Sequence, residues 1–273
     1  MLFIVFVSLL VSLAVVSAIA VFAFLDVALA GPPESFTTSA QWQPPLARDD
    51  ELFRWATATA STATARRLAG PRTSGTARQL VAEIYEGSMV AIAQAPAAAV
   101  RSEPNCSNGR HGMIGLTPPE ALVIAEEIRN TKSRQEIWRI RDGAMRNADR
   151  TTDMDHERFE SAGVTCPLLD KNDSCAVFAV RPMHCRGWCL TSGEDGDRCL
   201  LGDDTCDAHA CDTHTKTVTS GAEDGLCRGI ESAGLDGNVY ELNSALVAAL
   251  DTPAGAERWA EGESVFEQCK LYE

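Results

Sequence analysis

The sequence predicts a mainly α protein: a small helical domain with a long cysteine-rich loop region pinned by metal or disulfides, preceded by an N-terminal transmembrane helix. Three observations predict this. Capped segments with helical apolar spacing recur, while strand-type alternation of useful length is missing. Ten cysteines occur in 273 residues, all at or after position 106. Residues 2–25 form a mostly apolar run without a charged side chain.

That run is long enough, at about 1.5 Å per residue, to cross a hydrocarbon core of roughly 30 Å. No Lys or Arg precedes it, which argues for an uncleaved anchor over a signal peptide. Ala28-Leu29-Ala30 before Gly31 nevertheless has the form of a cleavage site, and cleavage near Ala30 gives the alternative of a secreted or periplasmic protein. Arg48, Arg54, Arg66 and Arg67 follow the run, which weighs toward a single-pass protein with its C-terminal domain on the cytoplasmic side. The organisation expected is an anchor at 1–30, a Pro/Ala/Thr-rich linker at 31–78 and a helical cysteine-cluster domain at 79–273.

Within the linker, Pro32, Pro33, Pro44 and Pro45 read as an extended tether. Residues 56–78 are Ala/Thr-rich and short of bulky apolar side chains, so they read as linker or marginal helix. Leu80, Val81, Ile84, Val90 and Ile92 predict a helix over 77–95 that stops at Pro96. Thr117-Pro118-Pro119-Glu120 combines an N-cap, proline in the first turn and Glu at N3, and so opens a helix carrying Leu122, Ile124, Ala125 and Ile128. Ser133-Arg134-Gln135-Glu136 repeats that logic ahead of Ile137, Ile140, Ala144 and Ala148. Tyr240, Leu242, Leu246, Val247 and Leu250 mark a further helix, and Thr252-Pro253 starts a last one through Trp259 and Phe266. The region 166–227 is expected as pinned loop.

A net charge of −14 and a pI near 4.8 leave no basic face to neutralise phosphates, which excludes a nucleic-acid binder. The informative chemistry lies in Cys166-Pro167-Leu168-Leu169, Cys175 and Arg181-Pro182-Met183-His184-Cys185-Arg186. Three thiols are separated there by short loops. Thiolates bind zinc or iron strongly, and closing loops around one ion fixes a segment that cannot build its own core. Paired Cys-x2-Cys knuckles are absent, so this is not a zinc finger.

These residues resemble the second half of the YkgJ-type cysteine-cluster family, a zinc- or iron-chelating domain. The likeness runs from about 105 to about 259, through Cys106, "LTPPEALVIAEEIR", "CPLL…C…RPMHCR" and "GLDGNVYELNSALVAALDTP…RW". It departs where family members carry a first cluster of closely spaced cysteines: here Cys106 and His111 are the ligand-type residues. Together these readings make Cys166, Cys175 and Cys185 the expected metal ligands, with Cys106 as the fourth. His111 stands where the family's other cysteines fall, and Cys199 where it often has a late one. The metal expected is zinc or iron, an iron–sulfur cluster included, since four thiolates suit either. Free or disulfide-bonded cysteines in a degenerate member are the alternative. Arg181 and Arg186 would offset thiolate charge or hold a carboxylate on a neighbouring helix.

Cys206, His209, Cys211 and His214 form a second set, too tightly spaced to wrap one ion without strain, for which a disulfide or solvated loop is the expectation. The acidic runs 194–197 and 203–204 lack the ligand order of a calcium loop. Motifs of hydrolases, kinases and dehydrogenases are missing. Three functions therefore compete: a membrane-anchored metal-binding protein without chemistry of its own, an iron–sulfur enzyme of the protein lysine methylation type that the resemblance suggests, and a secreted disulfide-stapled domain. The thinned first cluster favours the first, because structural zinc accepts four cysteines or three with a histidine.

Overall fold

A computed structural model describes residues 41–45, 48–94, 113–172, 174–187 and 213–272. The run 2–25 and the tether from 31 to 40 lie outside the described residues. Among the described residues no helix is long and apolar enough to cross a membrane.

The protein is mainly helical. In chain order the elements are α1 (Asp49–Leu68), α2 (Thr76–Ile92), β1 (Gly115–Leu116), α3 (Pro118–Thr131), α4 (Arg134–Thr151), α5 (His156–Ser161), α6 (Met183–Arg186), α7 (Thr213–Ser232), β2 (Tyr240–Glu241), α8 (Leu242–Asp251) and α9 (Gly255–Ala260). The two short strands pair antiparallel, Gly115 opposite Glu241 and Leu116 opposite Tyr240, and tie the start of α3 to the start of α8.

The first helix departs from expectation. Much of the stretch read as linker or marginal helix is α1, and its Ala56, Ala60, Ala63 and Thr64 are buried. Its partner is α7, which presents Gly221, Gly225 and Gly229 at four-residue intervals. An added Cβ at these glycines would stand 2.8 Å from the Ala56 Cβ, 2.7 Å from the Ala60 Cβ and 2.4 Å from the Thr64 Cβ respectively. The register rises on both helices together, so they run parallel. Small side chains let the backbones approach until dispersion contacts compensate for the missing bulky groups. The region 166–227 is correspondingly not all loop, because α7 begins at Thr213 and buries Val218, Ala222, Leu226 and Ile230 on one face.

α2 buries Leu80, Val81, Ile84 and Ile92, as its periodicity predicts, together with Tyr85 and Ala91, whereas Val90 of the expected stripe is exposed. Trp42 is fully buried and lies where a Cβ on Gly87 would be, 2.1 Å from its ring. Glu83 joins α1 to α2 by taking Arg66 at 2.6 Å and Arg67 at 3.0 Å.

α3 and α4 start at the predicted caps. Ser133 Oγ accepts from the Glu136 N–H at 3.3 Å, and Glu136 accepts in return from the Ser133 N–H at 3.0 Å. α3 is buried along most of its length and carries Leu122, Ile124, Ala125 and Ile128 into the core. α8 packs against both α3 and α4. Arg129 of α3 donates to the Ala249 carbonyl at 2.7 Å, near the end of α8 where carbonyls lack helical partners, and Arg141 of α4 grips Asp251 through two bonds of 2.5 Å.

The last helix is shorter than predicted. Ala254 in the left-handed region delays its start, and Gly262 at φ 91° follows its end at Ala260. Phe266 therefore lies beyond it, fully buried and stacked on Tyr240 with centroids 5.5 Å apart.

Candidate metal centre

Residues 166–187 fold with almost no regular structure, held by local bonds. The Leu169 N–H donates to the Cys166 carbonyl at 3.2 Å, and the Ala176 N–H to the Leu168 carbonyl at 2.8 Å. Leu169 and Cys175 are bridged antiparallel, so the two thiol-bearing positions flank one tight hairpin. Its tip is organised by Asp170, whose Oδ1 accepts from the Asn172 N–H at 2.7 Å and the Ser174 N–H at 3.0 Å. Those backbone donors hold the Asp170 carboxyl below its ordinary value.

After a 3-10 turn at Phe178–Val180, Pro182 serves as N-cap and α6 runs for a single turn to Gly187. A Cβ on Gly187 would lie 2.5 Å from the Thr219 hydroxyl of α7, so close seating explains the glycine there. Arg186 folds back, Nε donating to the Arg181 carbonyl at 3.1 Å and Nη2 to the Ala179 carbonyl at 2.8 Å. Its guanidinium lies 4.1 Å from the centroid of the Tyr85 ring, and that of Arg181 lies 4.6 Å from the Phe178 ring. Arg181 Nε is buried without a hydrogen-bond partner among the described residues.

Beneath this segment sits Glu120. It is fully buried and carries more than a helix cap requires. Oε2 accepts from the Thr117 N–H and hydroxyl, both at 2.8 Å. Oε1 accepts from the Tyr85 hydroxyl at 2.8 Å and from the Met183 N–H at 2.7 Å. Burial, and then the Glu120 charge, push the Tyr85 phenol well above its usual value.

Cys166, Cys175 and Cys185 are all half-buried and packed against the main core. Cys166 also lines a small cavity with Ile114, Phe159, Val164, Glu241, Leu242 and Asn243. Ile114 follows Met113, where the described chain resumes, and Met113 is buried with Phe159 and Val164. On the same side, Tyr272 meets the His184 ring at 5.2 Å and the His156 ring at 6.2 Å. Burial, then His156 and Lys216, lower His184 to about 4, so its imidazole is neutral.

Three of the expected ligands are thus brought onto one folded segment. Cys106, His111 and Cys199 lie outside the described residues, as do Cys206, His209 and Cys211. Among the described residues no three His, Cys, Asp or Glu side chains form a group able to hold an ion, and no disulfide joins two of the cysteines. His214 of the second set stands at the start of α7 beside the Ala91 carbonyl, at 3.4 Å. Cys227 and Cys269 are poor thiolate candidates. Burial pushes both thiols up, Cys269 to about 11 and Cys227 further, the latter with help from Glu223. Sequence reasoning gave Glu120 its place in the cap but not its bond to Met183, and it did not single out Tyr85 or His184. No family model matches the chain, and neither a curated protein nor a solved structure matches it.

Proposed function

We propose that this chain is a membrane-anchored metal-binding protein of the YkgJ-like cysteine-cluster type, holding zinc or iron. Cys166, Cys175 and Cys185 would be three ligands and Cys106 the fourth, with His111 and Cys199 as further candidates. The observation that carries this reading is the ordered, half-buried placing of three thiols on a segment of 22 residues, 166–187, with little secondary structure of its own. Such a segment gains most from a central ion, because binding free energy at a thiolate site is folding free energy.

Two features support the donor set. Arg181 Nε, without a hydrogen-bond partner among the described residues, offers a buried N–H of the kind that thiolate sulfur accepts, and Arg186 adds a second cation in the turn that follows. The segment bearing Cys106 and His111 joins the described fold at Met113, next to the residue that shares a cavity with Cys166. When bound, the ion would cross-link the hairpin, α6 and the chain ahead of β1. Residues 2–25 would anchor the protein in the membrane.

Elemental analysis of anaerobically purified protein, with its visible spectrum, tests the reading. Roughly one zinc or a coloured iron centre per chain is the expected result. Protein that holds neither metal under reducing conditions would overturn it.

A further inference from the structure

A helix cap explains only half of what Glu120 does. Thr117 needs one carboxylate oxygen, yet the other is occupied by two donors that no cap requires, the Tyr85 hydroxyl from α2 and the Met183 N–H from α6. Met183 opens the single helical turn that carries Cys185, and its N–H is one of the groups a helix start leaves without an intrahelical partner. Cys185 is followed by Arg186, whose guanidinium rests on the Tyr85 ring and whose N–H groups hold the carbonyls of Ala179 and Arg181. The turn bearing Cys185 is therefore tied to Glu120 at both ends, directly at Met183 and through Tyr85 at Arg186. We infer that Glu120 is the positioning residue of the thiolate centre, a buried latch that sets where Cys185 stands relative to α3.

The latch is sensitive to a change of one atom. Each oxygen accepts from one hydroxyl and one backbone N–H, so in Glu120→Gln either orientation of the amide turns an NH2 toward a backbone N–H that cannot accept, that of Met183 or that of Thr117. Tyr85→Phe is the milder perturbation, since it removes one donor and keeps the ring under Arg186.

Its consequence for metal rests on the function proposed above; its consequence for Cys185 does not, and the experiment separates them. In reduced, metal-free, full-length protein, the alkylation rate of Cys185 is followed by mass spectrometry beside that of Cys269, whose thiol donates to the Ser244 carbonyl at 3.5 Å. Both variants are expected to raise the Cys185 rate while leaving Cys269 unchanged. In parallel, zinc affinity measured by competition with a chromophoric chelator is expected to fall about tenfold, as for other supports of a ligand. A Cys185 rate that stays at the parent value in both variants, or rises only in step with Cys269, would overturn the latch. A selective rise at Cys185 in the variants, beside a parent protein that takes up no zinc, would keep the latch and remove the metal centre.

Discussion

Replacing Gly225 by alanine sets two known effects against each other at one position. Alanine is the better helix former by about 1 kcal/mol, so on an open helix surface the change stabilises. Here the new methyl would stand 2.3 Å from the Thr57 carbonyl oxygen, 2.9 Å from the Ser61 nitrogen and 2.7 Å from the Ala60 Cβ. Two of those neighbours are backbone and cannot rotate away, so α1 and α7 must separate, loosening the contacts at Gly221 and Gly229 as well. Overpacking of this kind costs about 3 kcal/mol, the upper end of the usual range. The net loss is about 2 kcal/mol, or roughly 4–8 °C in Tm for a domain of this size. Gly143→Ala is the internal control: it lies inside α4 and its nearest contact would be the Pro167 Cβ at 3.6 Å, so the propensity gain of up to about 1 kcal/mol should appear. Thermal unfolding followed by far-UV circular dichroism reads both. A Gly225→Ala protein as stable as its parent would refute the close parallel packing of α1 on α7.

Glu223 on α7 gives a pH dependence. Its Oε1 is buried without a hydrogen-bond partner among the described residues, and burial, then Glu120, raise its carboxyl to about 8. The folded state thus keeps a proton that the unfolded chain releases at an ordinary carboxyl value of about 4.3. Stability contributed here is full below the unfolded value and falls as pH rises through this window, levelling off above about 8; Glu223→Gln should flatten the fall and raise Tm at pH 8 but not at pH 4, and an unchanged pH profile would remove the argument. For the anchor, full-length protein should sediment with membranes and resist alkaline extraction, whereas a soluble mature form beginning at Gly31 would contradict it. Glu83→Ala should cost about 2 kcal/mol by removing the carboxylate that accepts from both Arg66 and Arg67, and a denaturant midpoint equal to the parent's would show that pairing to be dispensable.

What the sequence conveyed follows from where the information is local. Thr117 and Ser133 cap α3 and α4 as read, because an N-cap and the Glu three residues on form a self-contained unit. The pairing of α1 with α7 was hidden, since it matches Ala56, Ala60 and Thr64 with Gly221, Gly225 and Gly229 across more than 150 residues of chain. Taken alone, one stripe looks like low-complexity linker and the other is masked by the cysteines and histidines just ahead of it. The spacing of Val218, Ala222, Leu226 and Ile230 was the available signal for α7. At the candidate centre, the thiol-bearing segment was legible from its proline and cysteine spacing. The bond from Met183 to Glu120 was not, because no sequence interval encodes which of a buried carboxylate's oxygens remains open after capping.

The central claim is that Cys166, Cys175 and Cys185 belong to one metal centre. Zinc uptake by the reduced full-length protein, measured by chelator competition beside a variant with all three cysteines replaced by alanine, tests it most directly. The parent should bind roughly one equivalent, and the variant none, with the far-UV circular dichroism of α1–α4 retained. Equal zinc uptake by parent and variant, or none by the parent, would contradict the account.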